Sequence, residues 1–286
     1  MTKLITIPTK QNLSNIVEYS DAILIGIDNL SVNVPGTYSI HEVEEIIKKY
    51  NQIEFFVALN KNMHKCDLDN LKDALIKLDK MNIAGIFYYD IAVLEYRNTL
   101  NLKVPLVWSQ EHLTTNYATM NYWYNENVNY TYVSSEITLD EIIENRKNTK
   151  MKLIVPIFGY LPMFVSKRHL VENYLEYFNL DKKSSKYELE KDSKLYPVSI
   201  ISNDTTIYSS HILNGLSELK VLEENNIEYV TLNSYNIDTS KFIDVLKIYK
   251  SRLYESEKEI DMVFDNLDKG FLYKETVYRV KKNEKK

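Results

Sequence analysis

The strongest constraint on this chain is a rhythm, in which short apolar runs alternate with amphipathic stretches from the first residues to about residue 255. The runs at 4–8, 22–27, 53–60, 83–89, 104–108, 130–134, 152–158 and 227–232 read as strands. They are rich in Ile, Val, Phe and Tyr and lack strict alternation, as expected of parallel strands covered on both faces. Between them, residues 40–50, 68–81, 116–124, 139–147, 169–178, 216–225 and 241–255 read as helices. Ser39 with Glu42 and Thr138 with Glu141 mark two helix starts as capping boxes. Leu71, Leu75 and Leu78 form the apolar stripe of a third helix. Repeated βα units either close into a barrel or spread into a doubly wound sheet. About eight units in 286 residues, with no GxGxxG after any strand, predict an α/β fold of the (β/α)8 TIM-like barrel type in one domain over 1–286.

Two segments break the rhythm. An insertion at about 180–210, before the last unit, carries a β-hairpin signal, with runs at 196–202 and 205–209 about Asn203 and Asp204. An extension at about 258–286 contains GFLYKETVYRVK, which predicts a short C-terminal strand.

Composition narrows the function classes. Six Gly, six Pro and 44% hydrophobic residues argue against disorder. No apolar run is long enough to span a bilayer, and the first residues lack a signal-peptide core. The one cysteine, Cys66, rules out an internal disulfide and any zinc or iron–sulfur site built from this chain's own cysteines. These points predict a cytoplasmic setting without membrane association. A net charge of −5 gives no global attraction to nucleic acid, and the basic stretches at 182–186 and 281–286 read as solvated surface.

In a barrel of this type, strand C-terminal ends and the loops after them build the working site. That rule selects Asp28, Asn29, Asn60, Asp90, Gln110, Glu111, His112, Glu136, Gly159, Tyr160 and Asn233 to Tyr235. Glu136, two residues before the capping Thr138, is the leading carboxylate for acid–base work. Asp90 has the same placement and equally suits the cap of a helix beginning at Ile91. The segment FGYLPMFVSKRHLVENY (158–174) reads as a strand ending at Gly159, a Pro-containing loop, and a helix reached through Ser166, Lys167 and Arg168. Two readings stand side by side there, an anion site for phosphate, carboxylate or RNA backbone, and a plain turn with Ser166 as cap. The five His residues show no HExxH spacing, no nucleophile elbow is present, and no metal ligands are assigned.

Taken in order, SDAILIGIDNLSV, ALNKNMHKCDLDNLKDAL, AGIFYYDIAVLEY, LVWSQEHLTTNYATMNYW, YVSSEITLDEI, GYLPMFVSKRHLVENY, YPVSIISNDTTIY and GFLYKETVYRV resemble the collagenase-like peptidase family U-32. The resemblance implies a (β/α)-barrel and a role in tRNA wobble-uridine 5-hydroxylation, with a prephenate-related small molecule as a requirement. Collagenase-like peptidase (hydrolase) activity, and service as a non-catalytic assembly subunit, are the alternatives. Many members hold an iron–sulfur cluster through a Cys quartet, partly in the segment after the seventh strand. This chain has no Cys in 158–174 and resembles the shorter, cysteine-less branch. The resemblance therefore implies no cofactor bound by this chain, tRNA as a partner, and a hetero-oligomer with a Cys-bearing relative. Carried onto this sequence, the family pattern has Asn60, Asp90, Asn116, Glu136, Tyr160, Ser166 and Arg168 lining a ligand pocket.

Overall fold

The computed structural model describes residues 1–110, 113–166, 168–182, 186–201 and 204–274. In chain order the strands are β1 (Lys3–Ile7), β2 (Ala22–Ile27), β3 (Thr37–Tyr38), β4 (Glu54–Leu59), β5 (Gly85–Tyr88), β6 (Leu106–Trp108) and β7 (Tyr130–Tyr132). They continue with β8 (Lys152–Ser166), β9 (Tyr187–Lys191), β10 (Lys194–Ile201), β11 (Asp204–Asn214), β12 (Tyr229–Asn233) and β13 (Leu267–Asp268). Strands β1, β2, β4, β5, β6, β7, β8 and β12 pair in parallel in that order, and β12 returns to both β8 and β1. The ring is a closed eight-stranded (β/α)8 barrel, with the other strands outside it.

Strand parity explains why the runs are apolar throughout. Ile5, Leu24, Phe56, Phe87, Val107, Ile154 and Tyr229 face inward as one buried cluster. Their neighbours Leu4, Ile23, Ile25, Phe55, Val57, Ile86, Leu106 and Val155 face outward into a larger core shared with the helices. Helices Ile40–Lys49 and Leu139–Asn148 start at the capping boxes of Ser39–Glu42 and Thr138–Glu141. At the barrel centre, Phe56 stands edge-on to Phe87, Tyr130 and Tyr229, with centroids 5.6, 6.2 and 5.3 Å away. Below them the Tyr229 hydroxyl donates to Glu54 at 2.9 Å, and Lys3 pairs with the same carboxylate.

Burial raises the hydroxyl pKa of Tyr88, Tyr229 and Tyr249, and pushes those of Tyr38 and Tyr235 up to about 12. In the unfolded chain these groups ionise near pH 10. Their contribution to stability is therefore complete below about pH 10 and is lost as pH rises toward the folded values, by about 1.4 kcal/mol per pH unit for each tyrosine. Urea unfolding followed from pH 8 to 11.5 is expected to show flat stability and then a steep alkaline fall; a flat profile throughout contradicts the burial of these hydroxyls.

The structure corrects the expectation that the seventh barrel strand ends at Gly159. β8 runs on for 15 residues to Ser166 because β11 takes up its backbone groups antiparallel, pairing Tyr160 with Ile212, Phe164 with Ile207 and Ser166 with Thr205. Pro162 is accommodated between two register shifts in this ladder, where a missing N–H costs no regular bond. The insertion extends beyond a hairpin. β10 and β11 pair from Val198–Ile207 to Ile201–Asp204, and β9 adds a third antiparallel strand. The hairpin residues Ser202 and Asn203 lie outside the described residues. The extended β8 and β11 arch over the C-terminal end of the barrel. There the Asn33 N–H donates to Asp204 at 3.2 Å, and Tyr208 stacks on Tyr235 with centroids 4.2 Å apart.

A short strand lies just ahead of the expected C-terminal one. β13 lies at Leu267–Asp268, parallel to Ile212 and Leu213, and residues 271–274 form a turn after it. Most of the expected strand, 275–281, lies outside the described residues. Lys269 anchors this segment through Ser217, Glu218 and Glu257, and Tyr273 donates to the buried Glu218 at 2.8 Å.

Candidate functional site at the C-terminal mouth

Among the described residues, a central hollow and an outer groove stand out at the C-terminal end of the strands. The central one lies inside the barrel beneath the arch and holds about 40 Å³, room for a few water molecules. Its polar lining is Asn33, Asn60, Ser109, Tyr132, Thr231 and Asn233, with Tyr160 contributed by the arch. The Tyr132 and Thr231 hydroxyls lie 3.2 Å apart, and Tyr160 accepts from the Asn266 amide at 3.0 Å. Among the described residues this lining carries amides and hydroxyls and no charged side chain. Such a wall can orient a polar ligand by hydrogen bonds. The described lining offers no general base, and no Ser or Cys paired with His.

The second hollow is an open groove of about 700 Å³ on the outer side of the ends of β5 and β6. Asp90, Trp108, Gln110, Asn116 and Trp123 line it.

The residues singled out by the sequence divide among these places. Asn60 lines the central cavity while holding the loop after β2, accepting from the Val32 N–H and donating to the Val32 carbonyl, each at 3.0 Å. Asp90 stands at the outer groove. Its carboxylate accepts from Ala92 N–H at 2.9 Å, capping helix Ile91–Thr99, and from Met63 N–H at 2.8 Å, so both oxygens are engaged in shaping loops. Asn116 likewise lines the groove and caps helix Tyr117–Asn125 through Thr119 N–H at 3.0 Å. Glu136 lies on the β7 loop, with its N–H bonded to Ser134, and lines neither hollow.

Ser166 and Arg168 require a correction. Helix Leu170–Tyr177 is capped by His169 without a side-chain bond, and Ser166 ends β8 instead, accepting from the Arg168 N–H at 3.2 Å. The extension of β8 places Ser166 in the strand, so the reading of Ser166 as the cap of this helix does not hold. Arg168 is exposed, and its carbonyl is held by Thr205 at 2.9 Å. Lys167, Glu111 and His112 lie outside the described residues.

Sequence reasoning missed Asn33, Ser109, Tyr132 and Thr231. Strand parity carries the missing signal for two of them, because Tyr132 and Thr231 share the inward parity of Tyr130 and Tyr229. Among the described residues, no group of three or more His, Cys, Asp or Glu is placed to hold a metal ion. Cys66, exposed on a short turn, cannot supply the quartet that an iron–sulfur cluster needs. No helix among the described residues is long and apolar enough to cross a membrane.

The model of peptidase family U32 matches residues 9–277. The tRNA hydroxylation protein P2 of Bacillus subtilis is 27% identical over 285 residues, covering 90% of this chain and 92% of that protein. The tRNA hydroxylation protein P1 of the same organism is 24% identical over 160 residues, which cover 54% of this chain and 38% of P1. A solved 3-hexulose-6-phosphate synthase from Salmonella typhimurium superposes with a TM-score of 0.49 at 9% identity, over 91% of this chain and 100% of that one.

Proposed function

The chain belongs to peptidase family U32, and we propose from that premise that it acts in tRNA hydroxylation, at the 5-position of the wobble uridine. The observation that carries this reading is the match to tRNA hydroxylation protein P2 over nine-tenths of both chains. The neutral central cavity supports a role in holding and orienting a polar group, and it gives no support to peptide hydrolysis, which needs an activated nucleophile or water.

Hydroxylation of a uracil ring is an oxidation, and one cysteine with no clustered metal ligands among the described residues leaves the chain poorly equipped to carry electrons. On this reading the chain works beside a Cys-bearing family member that supplies the redox centre, in the cytoplasm where tRNA is modified. The family resemblance adds a prephenate-related small molecule to this proposal. Asn60, Tyr160, Thr231 and Asn233 are the positioning groups at the central cavity. Glu136, Asp90, Asn116, Ser166 and Arg168 remain candidate contact residues for the RNA or the partner, as does Lys167 from the sequence.

The test compares tRNA nucleosides, by mass spectrometry, from strains lacking this gene, lacking its Cys-bearing relative, and lacking both. A fall in 5-hydroxyuridine derivatives in at least the double deletion is expected. Unchanged levels in all three strains overturn the reading.

A further inference from the structure

The outer groove at the end of β6 has a chemistry that its packing does not use. Its floor is Trp108 stacked on Trp123, with centroids 4.0 Å apart and planes 29° from parallel. Trp108 is 3% exposed, and its indole Nε1 has no hydrogen-bond partner. The side-chain amide oxygen of Gln110, Oε1, is also buried without a donor. An indole N–H can only donate and an amide oxygen can only accept, so the two ask for an acceptor and a donor from one occupant. Trp108 ends β6 and Gln110 follows two residues later, and both line this groove. Leaving such groups buried and unmatched is costly, and a bound ligand is one way in which both could be met.

The surroundings indicate a flat ring attached to an anionic chain. Tyr89, Ile91 and Leu113 stand exposed on the rim, an apolar collar for a planar group. Helices Ile91–Thr99 and Tyr117–Asn125 both start at this groove, and neither has an acidic residue in its first turn. The N-terminal end of the second, capped by the neutral Asn116, favours phosphate, whereas the first already carries the Asp90 carboxylate as its cap. Among the described lining residues the carboxylate is that of Asp90, which is held by two backbone N–H groups.

We propose that this groove receives a single base of an RNA strand, stacked against its aromatic lining and read at its edge by Trp108 and Gln110. The proposal rests on the tRNA reading for the class of ligand and goes beyond it in placing an RNA contact outside the barrel axis. A nucleobase supplies adjacent acceptor and N–H groups on a stacking ring, the combination that single-stranded RNA recognition uses.

The chain contains two tryptophans, and both line this groove, so its intrinsic fluorescence reports on this place. The full-length protein is titrated with uridine 5′-monophosphate and with a short single-stranded oligouridylate. Saturable quenching is expected, with affinity lowered about tenfold by Gln110→Leu, the loss of one hydrogen bond to a buried group. Trp108→Phe should weaken binding similarly while Trp123 still reports, and thermal melting checks that this variant folds. Quenching by neither probe, or quenching with equal affinity in both variants, overturns the proposal. Quenching with unchanged tRNA nucleosides in the deletion strains upholds the groove and removes the tRNA hydroxylation reading. Lost nucleosides without quenching do the reverse.

Discussion

Replacing Gly159 with alanine is expected to cost about 3 kcal/mol or more and to lower the melting temperature markedly. Gly159 has φ +115, a conformation that side chains rarely adopt, and a Cβ there would lie 2.6 Å from the Asn233 carbonyl oxygen. The close approach has a structural cause. β8 shifts register against β12 between Thr231 and Leu232, at the point where it leaves the barrel to form the arch. The contact is backbone on backbone, so no side-chain rotation can relieve it. Thermal unfolding of Gly159→Ala checks this, and a melting temperature within a few degrees of wild type contradicts it.

Phe56→Ala is the second large effect, with an expected loss of about 3–5 kcal/mol. Phe56 is fully buried at the centre of the barrel, and three aromatic rings stand edge-on to it. Those rings are fixed by the strands that bear them, so the space cannot close around a methyl group. Phe56→Leu keeps most of the volume and should recover a large share of the loss. Denaturant midpoints for the two variants separate the contribution of this packing from general apolar burial; equal midpoints for Ala and Leu contradict the account.

The same two residues show what was legible in the sequence. Phe56 sits in EFFVAL, and an uninterrupted apolar run between helical stretches is enough to place it in a strand covered on both faces. The eight barrel strands were readable for this reason, since each is a local pattern. Gly159 was readable as an irregularity, but its consequence was not. The run GYLPMFVS holds a Gly and a Pro, which locally favour a loop, and only pairing with β11, some 40 residues later, makes it a strand. Ser166 was misplaced for the same cause, because its role depends on where β8 ends. The mouth residues followed a similar division. Asn60 and Tyr160 lie beside strand ends and could be selected by that rule, whereas Thr231 is one polar residue inside an apolar strand, and only the inward register marks it as cavity lining. Asp90 and Asn116 look like site residues and like helix caps, and the structure shows the capping bonds directly.

The central claim is that this barrel serves tRNA hydroxylation through the hollow at its C-terminal mouth. The most direct test is complementation of a strain lacking the gene with wild type and with Thr231→Val, a change that keeps the shape of the cavity and removes its hydroxyl. tRNA nucleosides are then measured by mass spectrometry. The account predicts that wild type restores the 5-hydroxyuridine derivatives and that Thr231→Val, present at equal amount, restores markedly less. Full restoration by Thr231→Val would contradict the assigned cavity, and a deletion strain with undiminished hydroxylation, alone and without its relative, would contradict the function itself.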